Sequence, residues 1–358
     1  MILSRAPTRI TLGGGGTDLK SYYSKYGGFL IAGAINKYCT VLANRRFYDS
    51  IRLSYSQMEI KDRVADIEHR VFRVALELSG IEKGIELHSA ADVPAYCGLG
   101  TSSSFIVALL NALHTYNRDF VTQKQLAEEA CHIEIDILGE PIGKQDQYMA
   151  AFGGLTCLTF DKNGDVLVEP LRISDEALDQ LEDNLVLFFT GRERSASEIL
   201  VEQDAKSKQN DAEMIQNLNK IKEIGLETRR YLEKGNVSML GELFHVHWQV
   251  KKRRSKKMSD PFIDECYEVA RKNGAAGGKL IGAGGGGFFL FFCQNHYKPK
   301  LIDAMQKMGL RWERFHFDFD GAKLKSYPEN TVLYVSDSVL DLHLGIAEAD
   351  AVIKPPVG

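Results

Sequence analysis

The sequence predicts an α+β protein organised as two domains, and three observations carry that prediction. A chain of 358 residues has the length for about two domains. Its first half mixes strand-like and helix-like segments without the regular βαβ alternation of a doubly wound sheet. Three glycine-rich stretches, Gly13–Gly16, Gly98–Ser104 and Gly284–Gly287, adjoin such segments, and glycine lets backbone N–H groups approach a ligand with no Cβ in the way.

Taken in order, residues 1–12 alternate as a strand does and lead into Gly13–Asp18. Phe29–Asn36, Lys37–Asn44 and Ile51–Ser54 are rich in β-formers and spaced like an antiparallel meander. Residues 65–79 predict an amphipathic helix ended by Gly80, and Ile85–Ala90 a short strand. Phe105–Leu113 is an apolar run with helical character. Thr122 and Gln125 form a capping box before a helix whose stripe is Leu126, Ala130, Ile133 and Ile137, stopped at Gly139–Gly143. Residues 155–168 read as a hairpin turning at Lys162-Asn-Gly164. The acidic stretch Ser174–Asp183 reads as solvated, so the domain boundary is placed within 170–184. That gives domains 1–175 and 184–325, with an extension over 326–358.

The second half opens on the strand-like Leu185–Thr190. Helical patterns follow over 205–234 and 236–254, broken at Gly235-Asn236. A third helix has Asp260 as N-cap and Pro261 at N1, and ends at Asn273-Gly274. Leu280–Ala283 and Phe288–Cys293 flank the last glycine run as strands. In the extension, Thr331–Val335 is strand-like and 336–350 helical, with no chemistry attached.

Composition narrows the function classes. A hydrophobic content of 44% with 26% charged residues is that of a soluble globular protein. A net charge of -4 argues against a nucleic-acid partner. No run approaches the ~18 apolar residues of a membrane span, and Met1–Pro7 lacks the pattern of a secretory signal. Six cysteines without a C-x-x-C pair read as reduced, buried thiols in a cytoplasmic protein, Cys97 among them as a small packing residue. A homodimer is compatible with the chain.

The stretch Pro94–Ser104 holds two glycines, a threonine and three serines just before the helical run. N–H groups and the dipole at a helix start make an anion site, for which phosphate is the usual ligand. The same residues also suit a plain turn capping a buried helix. No lysine follows the glycines, so this is not a Walker-type P-loop. The hydroxyls of Thr101, Ser102 and Ser103 can donate to phosphate or ligate Mg²⁺, which takes few protein ligands, usually a carboxylate. Glu134 and Glu129 flank the same helix stripe, and helical geometry does not separate them. Asp146 sits in a glycine-flanked polar turn that suits a helix cap as well as catalysis, and Arg9 suits a surface position as well as a site.

The order of these features is more telling. Ala6-Pro-Thr-Arg9 with Gly14–Asp18, then Pro94 to Ser103, then Lys279–Gly287 resembles the three motifs of the GHMP small-molecule kinases over about residues 3–325. The resemblance implies an N-terminal domain like ribosomal protein S5 and a C-terminal ferredoxin-like domain with added helices. Within that superfamily, Gly14–Asp18, Lys144–Gly154, Thr190–Leu200 and Phe315–Gly321 resemble the heptose 7-phosphate kinases. These are sugar anomeric kinases of GDP-heptose biosynthesis for surface polysaccharide.

The resemblance implies ATP and Mg²⁺ as cofactors and a sugar phosphate as acceptor, D-glycero-D-manno-heptose 7-phosphate, with the 1,7-bisphosphate as product. It makes Asp146 the catalytic aspartate with Arg9 beside it. It puts Gly98, Leu99, Gly100, Thr101, Ser102, Ser103 and Ser104 on ATP, and Ser102 and Glu134 (not Glu129) on the metal. Gly14, Gly15, Gly16, Thr17, Asp18, Gln145, Gly284, Gly285 and Gly286 fall to the acceptor, Asp18 matching an aspartate that holds sugar hydroxyls in galactokinase. Galactokinase has Glu-His where this chain has Gly15-Gly16, which removes a galactose-type contact, and the loop reads Thr-Ser-Ser-Ser rather than Ser-Ser-Ala. For the acceptor's phosphate two basic groups compete: the run Lys251–Lys257, and Arg192 with Arg194 before the helix start at Ser195–Glu198. Rival functions are a sugar-1-kinase of the fucokinase or galactokinase kind acting on an unphosphorylated sugar, and a non-catalytic ligand-binding regulator.

Overall fold

The computed structural model describes residues 1–192 and 197–326. The expected strand and helix in the extension, and Arg194 with the start of its helix, lie outside these residues.

The first sheet is organised by one long strand. β1 (Ile2–Gly13) leads through the short helix α1 (Lys20–Tyr26) into β2 (Gly28–Arg45), which runs 18 residues where two strands of a meander are expected. β1 pairs along the length of β2, with register shifts at Pro7/Thr8 and Thr11/Gly13. Such bulges bend a strand and increase its twist. On its other side β2 divides its partners, so a continuous strand serves two branches of one sheet. Its first half pairs with β6 and its second with β5.

β3 (Ile51–Ser54) and β4 (Met58–Lys61) form a hairpin, and β3 runs parallel to β5 (Ile85–Ala91) rather than continuing a meander. Between them, α2 spans Arg70–Leu78, starting five residues later than expected because the His69 side chain caps it by accepting from Phe72 N–H. α3 (Thr101–Asn117) opens on a polar first turn and crosses the first sheet on the apolar residues of its middle turns.

α4 (Gln123–Cys131) begins with the expected capping box and continues into a π-helical turn, His132–Ile137. That wider turn shifts the helical phase. Ile133 stays buried, but Ile137, expected on the buried stripe, is 41% exposed, while Glu134 is turned inward to 2%. Asp146, expected in a glycine-flanked turn, lies in the first turn of a helix, α5 (Gln145–Phe152). The hairpin β6 (Leu155–Phe160) and β7 (Val166–Pro170) follows, its turn held by Asp161 Oδ1 accepting three N–H groups. The acidic stretch is α6 (Asp175–Asn184), not a solvated linker: Ala177 and Leu181 are buried on one face.

The second sheet contains β8 (Leu185–Phe189), β9 (Ala275–Leu280), β10 (Phe288–Cys293) and β11 (Arg311–Glu313), antiparallel in the order β11-β8-β10-β9. Between β8 and β9 come α7 (Ser197–Lys208), α8 (Ala212–Glu233), α9 (Leu240–Lys252) and α10 (Pro261–Lys272). Asp211 caps α8, so one expected helix over 205–234 is broken near Asn210, which takes positive φ. α11 (Lys298–Lys307) joins β10 to β11, completing a ferredoxin-like βαββαβ order. The last described strand, β12 (Lys323–Ser326), returns to pair with β1.

Period-two alternation fixes where β8 and β10 point. Leu185, Leu187, Phe288, Leu290 and Phe292 share a core with Ile10, Leu12, Phe29 and Ile31 of the first sheet. Val186, Phe188, Phe289 and Phe291 pack instead with Trp248, Ile263 and Tyr267 beneath the helices. Each such side chain contributes roughly 1.5–3 kcal/mol on full burial. The shared core holds the loop ends of both sheets against one another, and the candidate site lies there. All six cysteines are buried and free, as expected of reduced thiols.

Candidate active site

The head of α3 is built from close backbone approaches. Gly98 and Gly100 have φ of 85° and 81°, the left-handed region that glycine tolerates. A Cβ on Gly98 would strike the Ile281 carbonyl, and one on Gly282 would strike Gly98, so the first loop and the β9–β10 loop touch backbone to backbone. The N–H groups of the α3 first turn therefore sit at the rim of a cavity of about 740 Å³, within the ~300–1,000 Å³ typical of ligand pockets.

Arg9 lies along β1, buried, with Nε 2.7 Å and Nη2 2.5 Å from Asp146 Oδ1, and it also donates to the Gly98 carbonyl at 2.5 Å. One guanidinium thus ties the aspartate of α5 to the phosphate-loop candidate. Asp18, also buried, accepts from Gly16 N at 3.0 Å, Gln145 N at 3.3 Å and Gln145 Nε2 at 3.0 Å, while Gln145 accepts from Thr11 Oγ1 at 2.7 Å. Burial, then the charge of Asp146, raises the Asp18 pKa against these hydrogen bonds.

Glu134 accepts from Ser102 Oγ at 3.1 Å, Ser103 Oγ at 2.6 Å and Gln147 Nε2 at 2.5 Å. Desolvation nonetheless pushes its pKa up to about 7. A buried carboxylate with that proton affinity lacks a cation, and the neighbouring Gln147 Oε1 is buried without a hydrogen-bond partner. Hydroxyl and carboxylate oxygens are the ligands Mg²⁺ prefers, and it needs only one or two from protein when phosphates supply the rest. The residues fit the ion; among the described residues no cluster of three or more His, Cys, Asp or Glu offers a full protein cage. Glu129, the alternative, is engaged with His114 at 2.6 Å.

Of the residues expected to touch ligands, Arg9, Gly15, Gly16, Asp18, Gly98, Gly100, Thr101, Ser102, Ser103, Glu134, Gln145 and Asp146 line the cavity. Leu99 is fully buried, and Ser104 donates to Pro7 O and Gly100 O. Gly14 and Thr17 hold the turn, with Thr17 Oγ1 bonded to Gly14 O and Phe29 O. Gly284, Gly285 and Gly286 pack on Met258 and Arg192, whereas Gly282 and Ala283 line the cavity. Arg192 is exposed, paired with Asp260 at 2.5 Å and stacked on Phe262.

The run Lys251–Lys257 is a phosphate candidate in the sequence, but the sequence does not show that Lys251 and Arg254 share one buried cavity wall with His247 and Lys279. His247 and Lys251 on α9, Arg254 just after it and Lys279 on β9 are all buried and all line the cavity. Positions 247, 251 and 254 are spaced i, i+4, i+7, one helical face, a signal present in the sequence but masked because the last two lie inside a longer basic run. Burial lowers the pKa of Lys251 and Lys279 well below the usual lysine value, with their neighbouring cations adding to it, and holds His247 well below its own.

A cavity with uncharged donors for phosphates at one edge and a held aspartate beside them is suited to moving a phosphoryl group between small molecules. Comparison with known proteins gives this class a family. Residues 66–154 match the GHMP kinases N terminal domain and residues 228–309 the GHMP kinases C terminal domain. A D-glycero-alpha-D-manno-heptose 7-phosphate kinase of Campylobacter jejuni is 32% identical over 90% of this chain and 98% of its own. The structure of a D-glycero-D-manno-heptose 1-phosphate kinase of Bacteroides thetaiotaomicron superposes with a TM-score of 0.76 at 27% identity, covering 91% of this chain and 99% of that one. A bifunctional fucokinase/GDP-fucose pyrophosphorylase of Arabidopsis thaliana is 26% identical over 64% of this chain and 23% of its own. The chain belongs to the GHMP kinases, two-domain phosphotransferases that use ATP as phosphate donor. No described helix is long and apolar enough to cross a membrane.

Proposed function

We propose that this protein transfers the γ-phosphoryl group of ATP to the anomeric hydroxyl of D-glycero-D-manno-heptose 7-phosphate, giving ADP and the 1,7-bisphosphate. The observation that carries the reading is the near full-length likeness to a 7-phosphate kinase, on a chain whose cavity joins the Arg9–Asp146 pair to the α3 loop. Asp146 orients the acceptor hydroxyl and takes its proton as the O–P bond forms. Arg9 holds that carboxylate and offsets charge on the transferring group. The α3 N–H groups and the Thr101, Ser102 and Ser103 hydroxyls cradle the triphosphate, and Asp18 with Gln145 holds sugar hydroxyls. Ser102 and Glu134 would hold Mg²⁺, which supplies charge neutralisation between the phosphates when bound. Domain limits of 1–175 and 184–325 and a cytoplasmic location belong to the same reading.

The two heptose kinases named above differ in which phosphate their acceptor already carries. Turnover with ATP and Mg²⁺ should therefore be followed by phosphorus NMR for the heptose 7-phosphate, the heptose 1-phosphate, the free heptose and fucose. Efficient turnover of the 7-phosphate with a new anomeric phosphate signal is expected. Full activity on free sugars with none on the 7-phosphate would end this reading.

A further inference from the structure

We propose that Arg254 and Lys251 seat the phosphate the acceptor already carries, and so set the preference for a phosphorylated sugar. The inference rests on the sugar-phosphate kinase reading above. Arg254 lies at the acceptor edge, its Nη2 donating to Gly15 O at 3.2 Å, its Nη1 to Gln203 Oε1 at 3.2 Å and its Nε to Asn217 Oδ1 at 2.9 Å. Gln203 in turn donates to Gly16 O at 2.8 Å. A guanidinium carries five N–H groups, so this rigidly held fork keeps two for a ligand. Lys251 donates to Leu280 O at 2.8 Å and Gly282 O at 2.5 Å, leaving one of its three.

Every partner that these hydrogen bonds give the two cations is a carbonyl or an amide oxygen. Lys279, behind them, bonds Leu12 O at 2.6 Å and His247 Nδ1 at 3.0 Å, again without a carboxylate. Buried charges are ordinarily paired. Here Lys251, Arg254 and Lys279 line one cavity wall without an ion pair among the described residues, and a dianionic phosphate supplies the missing charge, with the planar Arg fork suited to two of its oxygens. Of the other basic candidates, Arg192 is engaged with Asp260 and Lys252 with Asp264 at 3.2 Å.

The test compares kcat/KM for the heptose 7-phosphate and the free heptose in wild type and in Arg254→Gln. Removing a charged hydrogen-bond donor should collapse that ratio by about 10- to 150-fold, chiefly through KM for the phosphorylated sugar. Arg254→Lys should restore part of it, and Lys251→Met should lower it in the same direction. A ratio kept within threefold in Arg254→Gln, or a loss falling on KM for ATP, overturns the proposal. Should Arg254→Gln fail to fold, inorganic phosphate is tested on wild type. Inhibition competitive with the phosphorylated sugar supports the seat; inhibition competitive only with ATP, or none, overturns it. A wild type with no preference for the 7-phosphate ends the functional reading itself, whereas a preference that Arg254→Gln retains ends only this seat.

Discussion

The two walls of the cavity handle charge in opposite ways. On the wall from the first sheet, Asp146, Asp18 and Glu134 each find donors in the protein, although Glu134 still lacks a cation. Asp146 has Arg9, Asp18 has N–H groups of Gly16 and Gln145, and Glu134 has two hydroxyls and an amide. On the wall from α9 and β9, the cations have, among the described residues, only neutral oxygen or nitrogen hydrogen-bond partners. The Arg9–Asp146 pair is set before any ligand arrives; the facing wall is completed by an anion. On the roles proposed above, phosphoryl-transfer geometry and the seat for the acceptor's phosphate are separable, so variants on the two walls should fail in different kinetic constants.

The largest expected effect is on the first wall. If Asp146 accepts the proton, Asp146→Asn should lower kcat by about 10²–10⁴ while nucleotide affinity, measured by titration, is kept. A variant within threefold of wild type would remove Asp146 from the chemistry and break the comparison at its base.

Next in size is Gly143→Ala. A Cβ there would collide with the Asp18 carboxylate and backbone, and overpacking of this kind costs about 1–3 kcal/mol. Because Asp18 belongs to the first wall, kcat/KM should fall alike for the heptose 7-phosphate and the free heptose. Gly16→Ala probes the contact between the walls. Its Cβ would collide with Arg254 Nη1 and its φ of 98° disfavours any side chain, so the selectivity ratio should drop, by a few-fold. Equal effects of both variants on the ratio would show that the walls are not separable.

The first wall was the more legible in the sequence because its residues come in short local motifs. Gly14–Asp18 and Gly98–Ser103 announce close backbone approach, and Thr122 with Gln125 announces the helix that carries Glu134. The choice between Glu134 and Glu129 was not legible in helical periodicity. A π turn decides it, rotating Glu134 inward and Ile137 out, and one stretch of sequence does not reveal a phase shift that tertiary packing selects. The α5 helix was hidden by its glycine flanks. The second wall was masked differently. Lys251 and Arg254, which continue the i, i+4, i+7 spacing from His247, lie in a run of six cations that suits a solvated helix end as well as a phosphate site, and the burial of Lys279 depends on a strand 32 residues from its His247 partner.

The smallest effect concerns the free protein. Lys279 is faced by His247, Lys251 and Arg254, with the Phe244 ring 4.8 Å from its ammonium; Arg9 adds to the field on Lys251, and the Asp18 charge acts on Arg254. Its folded pKa lies well below the ordinary lysine value of about 10.5. Between those two values the unfolded chain binds more protons than the folded one, so the penalty of the buried charge is fullest at low pH and is relieved as pH rises. The slope is at most about 1.4 kcal/mol per pH unit for one lysine. Lys279→Met carries no such penalty. Its melting temperature minus that of wild type should therefore decrease steadily as pH is raised from 6 to 10. Inorganic phosphate should reduce that dependence, because an anion on this wall holds the lysines charged. A difference independent of pH would mean that the wall is not strained by its own charge, and the contrast between a satisfied wall and a waiting one would lose its energetic half.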